Sequence, residues 1–214
     1  MAATPPSSGT RWIPGFLAAG LIGASFIDGA AHAAEGRDVL RIHAGIARPS
    51  DRLLRDLYGV MPSLGVEAVV RDLGWSEVAL GGSIRWAGGD PQAGPFVDRA
   101  ASGWLSVPVH LSMSTMPGRE GLVPSARVGL IGQWSREDFD VEVGGETLAR
   151  SVDQIRPGLL AGVGLGGRGR IPWQIGVSWE WVPGHRLAFA GSHTRREEDM
   201  DLGSLTLSLK AGLP

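Results

Sequence analysis

Eight stretches of this sequence alternate apolar and polar residues with a period of two, and no other feature limits the possible folds so tightly. The clearest runs from Ser204 to Lys210. Leu205, Leu207 and Leu209 interleave there with Ser204, Thr206, Ser208 and Lys210. Such alternation puts the leucines on one face of a strand and the hydroxyls and ammonium on the other. "DVLRIHAGIA" sets Leu40, Ile42, Ala44 and Ile46 against Arg41 and His43. "SLGVEAVVRD" sets Leu64, Val66, Ala68 and Val70 against Glu67 and Arg71. "SEVALGGSIRW" and "LSVPVHLSMS" follow, the first with Val78, Leu80, Ile84 and Trp86 opposite Glu77, Ser83 and Arg85. The second has Leu105, Val107, Val109, Leu111 and Met113 opposite Ser106, Pro108, His110 and Ser112. "SARVGLIGQW" places Ala126, Val128, Leu130 and Trp134 against Arg127 and Gln133. "PGLLAGVGLG" opposes Leu159, Ala161, Val163 and Leu165 mostly to glycine. "WQIGVSWEW" sets Trp173, Ile175, Val177, Trp179 and Trp181 against Gln174, Ser178 and Glu180. The pattern predicts an all-β chain of eight strands.

The connections between these segments alternate in length. Short ones run near Asp72–Ser76, Thr115–Val123 and Gly166–Pro172. Long ones run near Arg48–Pro62, Ala87–Gly103, Ser135–Arg156 and Val182–Asp201. Transmembrane barrels of the outer-membrane type have short turns at the periplasmic end and longer loops at the cell surface. With both termini periplasmic, the first, third, fifth and seventh connections are external, and those are the long ones here. One helical signal interrupts the scheme. In "SDRLLRDLYG", Ser50 or Asp51 is a cap, Leu53, Leu54 and Leu57 have helical spacing, and Gly59 is a stop, so a short helix is expected in the first long connection, either to cover the barrel rim or to bind a partner.

Closed eight-stranded barrels exist in two polarities. A soluble lipocalin-like barrel turns its apolar face inward, and a membrane barrel turns it toward lipid. Two observations favour the second. The polar faces carry both signs of charge, Arg41, Arg71, Arg85, Arg127 and Lys210 against Glu67, Glu77 and Glu180. An eight-stranded lumen is just wide enough for side chains to fill, so this set is expected to form an ion-pair network inside, with Glu180 as the expected partner of Lys210. The apolar faces bear Trp86, Trp134, Trp173 and Trp181, which read as an aromatic girdle. Trp173 and Trp181 are eight steps apart, which on a tilted strand spans about 20 Å along the barrel axis, close to the height of an apolar membrane band. Mean hydropathy is only +0.04, as expected when half of every strand faces a polar interior. Residues 1–33 read as a cleavable signal peptide. Arg11 precedes the apolar run Trp12–Ile27, and Ala31-His32-Ala33 is a small-x-small cleavage site. The barrel domain is then 34–214. The chain has no cysteine, so disulfides and thiolate chemistry are excluded.

The stretches "VLRIHAGIARP", "LRDLYG", "SVPVHLSM", "PSARVGLIGQW" and "DLGSLTLSLKAGL" together resemble the small OmpA-type outer-membrane β-barrels, a broad porin-like group. The resemblance implies an eight-stranded antiparallel up-and-down transmembrane barrel. It implies contact with outer-membrane lipid and lipopolysaccharide, and insertion by the barrel assembly machinery. Members usually finish on an aromatic residue. Gly212-Leu213-Pro214 departs from that, and a variant assembly signal is expected.

No enzymatic constellation emerges. "GVGLGG", Gly162–Gly167, matches G-x-G-x-x-G, but no helix follows, and glycines that make room inside a barrel wall are the better reading. His43 and His110 lie on polar faces and are expected to hydrogen-bond inside. Ser192 and His193 are adjacent and would point to opposite faces of a strand. The H-x-S-N pattern of the outer-membrane lipid A deacylase is missing, so a charged surface loop is expected there. No cofactor, metal or nucleic-acid partner is expected; net charge is only −2. The expected role is non-enzymatic, structural or adhesive. A small ion or solute pore is the main alternative, followed by a lipid-modifying enzyme and the soluble lipocalin-like barrel.

Overall fold

The structure, a computed structural model, describes residues 40–89, 99–115, 121–143, 146–167, 171–190 and 194–213. The expected signal peptide, Ser192 and His193 lie outside the described residues. In chain order the elements are β1 (Leu40–Pro49), α1 (Arg52–Tyr58), β2 (Met61–Asp72), β3 (Ser76–Gly89), β4 (Arg99–Thr115), β5 (Leu122–Val143), β6 (Glu146–Gly167), β7 (Trp173–Trp181), β8 (Pro183–Ala190), β9 (Thr194–Asp201) and β10 (Ser204–Gly212). Eight of these strands form a closed antiparallel barrel in the order β1-β10-β7-β6-β5-β4-β3-β2. Each of the eight alternating segments contributes one barrel strand. The remaining two strands, β8 and β9, pair only with each other among the described residues.

The alternation is obeyed as expected, and the apolar set faces outward. Ile42, Ile46, Leu64, Leu111, Val128, Leu130, Val163, Ile175, Val177, Leu205, Leu207 and Leu209 are all exposed large hydrophobics. The polar sets are buried: Glu67, Glu77, Arg85, His110, Gln133, Glu180, Thr206 and Lys210 all lie inside. In water this arrangement would expose a continuous apolar wall around a charged interior. It is stable only where the surrounding solvent is itself apolar.

The two ends of the barrel differ. At the turn end, β2 and β3 join through Leu73–Trp75. Leu73 N donates to Ser76 O at 2.8 Å, Gly74 has φ +86°, and Asp72 Oδ1 accepts from Gly74 N at 2.7 Å. At the other end the described parts of the last three long connections are β-structure, where the sequence predicts loops. β5 and β6 are 22 residues each and stay paired from Leu122↔Gly167 to Val143↔Glu146. β3 and β4 also run on together to Gly89↔Ser102. The last long connection is the β8–β9 hairpin. Its base is tied by Asp201 Oδ1, which accepts from Val182 N and Gly203 N, both at 2.9 Å. The physical reason is that ribbon pairing satisfies its own backbone groups in water, so a hairpin need not stop where the membrane does.

Arg71 is a correction. The strict alternation assigns it to the lumen with Glu67. The β2–β3 ladder shifts register between Val69 and Arg71, so Val69 pairs with Ala79 and Arg71 with Val78. This bulge inserts one residue, Val70, and turns Arg71 to the outer surface, where it is exposed.

Candidate functional site

The lumen is filled by charged side chains in two groups. The first centres on Glu67, which is 2% exposed. Lys210 Nζ donates to its two carboxylate oxygens at 3.0 and 2.9 Å. Arg127 makes a short ion pair with Oε2, and His110 Nε2 lies 3.2 Å from the same oxygen. Arg127 also donates to Ser112 Oγ, at 2.9 Å from Nε. Arg41, the register partner of Glu67, has Nη1 3.7 Å from its carboxylate but turns its fork to Glu77, with Nη2–Oε2 at 2.8 Å. Three guanidinium or ammonium cations thus surround two carboxylates, so each carboxylate is paired, as buried charge requires, and the group carries one positive charge in excess.

The second group lies toward the other end. Arg85 and Glu180, both buried, form a bidentate pair at 2.5 and 2.6 Å. Ser204 Oγ accepts from Arg85 at 2.8 Å and lies 3.2 Å from both Glu180 Oε2 and Thr206 Oγ1. The expected Lys210–Glu180 pair is therefore not formed. Lys210 sits opposite Gln174 on β7, and Glu180 lies six residues further along that strand, about 20 Å away at strand rise. Height in the barrel, which alternation does not reveal, decides the partner.

Glycine shapes the wall between these groups. A Cβ at Gly81 would lie 2.7 Å from His110 Nε2, and one at Gly65 would collide with the His43 ring. Both imidazoles are accommodated by strand positions without a side chain. Along β6, Gly162 and Gly164 pack against the β7 backbone. Gln174 crosses beside Gly164 to donate to Ser125 Oγ at 2.6 Å. The "GVGLGG" motif is thus a stretch of inner wall.

The outer mouth is covered by an apolar plug built on the expected helix, whose packing partners the sequence reading did not identify. Asp51 caps α1, accepting from Leu53 N at 2.8 Å and Leu54 N at 3.3 Å, and Gly59 ends the helix at φ +60°. Leu54 and Tyr58 are buried, with Leu57 packed beside them, while Leu53 is exposed. They join Ala47, Met61, Trp104, Ile131, Val182, Met200 and Leu202 in one cluster. Tyr58 and Trp104 rings lie 5.8 Å apart, and the Tyr58 hydroxyl donates to buried Glu137 at 2.6 Å. The signal was present in the i, i+3, i+4 spacing of Leu54, Leu57 and Tyr58, a stripe that needs an apolar partner.

The tryptophans mark levels on the outer wall. Trp173 and Trp181 are exposed at the two ends of β7, and Trp86 and Trp134 are half-buried. Beyond Trp134, the outward positions of β5 change from apolar to Arg136, Asp138 and Asp140. Trp75, 63% exposed in the β2–β3 turn, joins Trp173 at the turn end. Above the barrel β6 has a further property. Its pairing with β7 stops at Leu159↔Trp181, so Glu146–Gly158 has no strand partner on that side among the described residues. Pro157, which lacks an amide hydrogen, stands where that open edge begins.

The closed sheet, apolar outer wall and filled lumen define a closed antiparallel β-barrel of the membrane-crossing kind. Solved structures similar in fold include neisserial surface protein A, at 14% identity, covering 84% of this chain and 100% of that one with a TM-score of 0.46. Ail, the attachment invasion locus protein of Yersinia pestis, is 15% identical, with 81% and 97% covered and a TM-score of 0.46. A major outer membrane protein from Thermus thermophilus is 12% identical, with 80% and 97% covered and a TM-score of 0.48. No protein-family model matches the sequence, and no curated protein matches it.

Proposed function

We infer that this chain is an integral outer-membrane barrel with a closed lumen, and that it works at the cell surface through its ordered ribbons without catalysing a reaction. The observation that carries the reading is the inverted polarity: an apolar outer wall around the Glu67 and Arg85–Glu180 groups, sealed above by the α1 plug. Such a lumen supports a surface or structural role over a pore. An enzymatic role is disfavoured because the inward charged groups Arg41, Glu67, Glu77, Arg85, Arg127, Glu180 and Lys210 are engaged in pairing one another. The open edge of β6 favours interaction specifically, since an unpaired strand edge recognises extended peptide by main-chain hydrogen bonds. The partners implied are phospholipid and lipopolysaccharide along the apolar wall, and the assembly machinery during insertion. The girdle residues Trp86, Trp134, Trp173 and Trp181 set its depth in this reading.

Two measurements test it. An expressing Gram-negative host is fractionated, and the protein is compared on gels with and without boiling. A membrane-bound, heat-modifiable band is expected; recovery in soluble periplasm overturns the reading. Residues 138–151 are then replaced by an Asn-Gly turn, and attachment of expressing cells to protein-coated plates is scored. The trimmed barrel is expected to stay heat-modifiable while losing the attachment that the full chain confers. Equal attachment by both, or none by either, overturns the surface-interaction role.

A further inference from the structure

Of the eight charged residues that alternation assigns to the lumen, Arg71 alone stands outside it. The bulge at Val70 delivers it to the lipid-facing surface, opposite Val78 and one turn from Trp75. Among the described residues no ion pair or hydrogen bond holds its guanidinium. Its surroundings are apolar: Val70, Leu73 and Trp75 are exposed around the same hairpin end. Asp72, the adjacent carboxylate, is engaged in the turn through Gly74 N. A cation on the lipid face costs about 2–4 kcal/mol at mid-bilayer and about 0–1 near the interface. Arg71 is the second-to-last residue of β2, a depth at which a barrel wall gives way to headgroups. An exposed tryptophan at this depth marks the same boundary. Bulges at barrel rims re-aim a side chain, and here the re-aimed side chain is an arginine, whose fork suits bidentate phosphate binding and whose stem suits an apolar surface.

We propose that Arg71, with Trp75 and the bulge at Val70, forms a site for the phosphate of one glycerophospholipid in the leaflet at the turn end of the barrel. The ligand is a lipid because the exposed apolar side chains Val70, Leu73 and Trp75 share this hairpin end with the basic group and match a glycerol backbone and acyl chains better than a free anion. The proposal rests on the membrane reading above.

The test is native mass spectrometry of the folded protein released from mild detergent. The probes are phosphatidylglycerol, diacylglycerol, which lacks the phosphate, and glycerol phosphate, which lacks the chains. Wild type is expected to keep one phosphatidylglycerol under activation that strips diacylglycerol, with no effect of glycerol phosphate. Arg71→Gln is expected to lower retention about tenfold, the loss of one charge-assisted hydrogen-bonded contact, and Arg71→Lys to keep part of it. Deleting Val70 removes the bulge and is expected to abolish retention. Arg48→Gln, an exposed arginine on β1 at the opposite end, is expected to behave as wild type. Undiminished retention by Arg71→Gln overturns the site. Equal loss in Arg48→Gln overturns its location, and competition by glycerol phosphate overturns the lipid as ligand. Failure of the membrane reading looks different, because no heat-modifiable band forms in any variant.

Discussion

Glu67 carries more of the interior than any other residue, since Lys210, Arg127 and His110 all converge on it. Glu67→Gln leaves two buried cations without a counter-charge, and unpairing a buried ion costs about 3–5 kcal/mol. Urea titrations in lipid vesicles should show a loss of that order. Arg85 and Glu180 form a self-contained pair, so the two single substitutions to leucine should each be more damaging than the double substitution, in which neither charge remains. The last strand checks the sense of the wall. Leu207 is exposed outward, and Ser208 faces inward opposite Gly45 and Gly176. Leu207→Arg puts a charge in mid-bilayer at about 2–4 kcal/mol, and it should impair folding into vesicles more than Ser208→Arg. The reverse order would mean a soluble barrel with a leucine core.

Among the elements, α1 has the least support of its own, a seven-residue helix held by one cap and one apolar face. Asp51→Ala removes the cap, worth about 1 kcal/mol. It should speed trypsin cleavage after Arg52 and Arg55 while the barrel stays heat-modifiable. Unchanged cleavage would mean that packing of Leu54 and Tyr58 alone fixes the helix. This helix also shows how far the sequence could be read. Its caps and its existence were legible because they are local chemistry, and so were all eight barrel strands and their faces, because period two is local. Three things were not. The partner of Lys210 depends on how far one strand is staggered against another. The outward turn of Arg71 depends on one extra residue in a run, "AVVRD", that alternates no less regularly with the bulge than without it. The plug depends on Trp104 and Met200, far apart in the chain, joining Leu54 and Tyr58 of α1 in one cluster.

For the molecule as a whole, the interior is obstructed at three successive levels: the Glu67 group, the Arg85–Glu180 pair and the apolar plug. Protein reconstituted in planar bilayers should therefore pass little steady current. Replacing Leu54, Leu57 and Tyr58 together by serine should leave it low, because the two charged levels remain; large uniform steps in either form would promote the pore reading. The order of the strands has a further consequence, for assembly. Most seams of the barrel join near neighbours in the chain, but β1 is sealed to β10, as in Ile42↔Ala211 and Ile46↔Leu207. Until that seam zips, two rows of unpaired amides and carbonyls face hydrocarbon, which tolerates neither. Insertion is then an all-or-nothing event whose gate is the arrival of the final strand. A lesion in β10 should show itself in how many molecules reach the membrane, more than in how firmly the successful ones hold together.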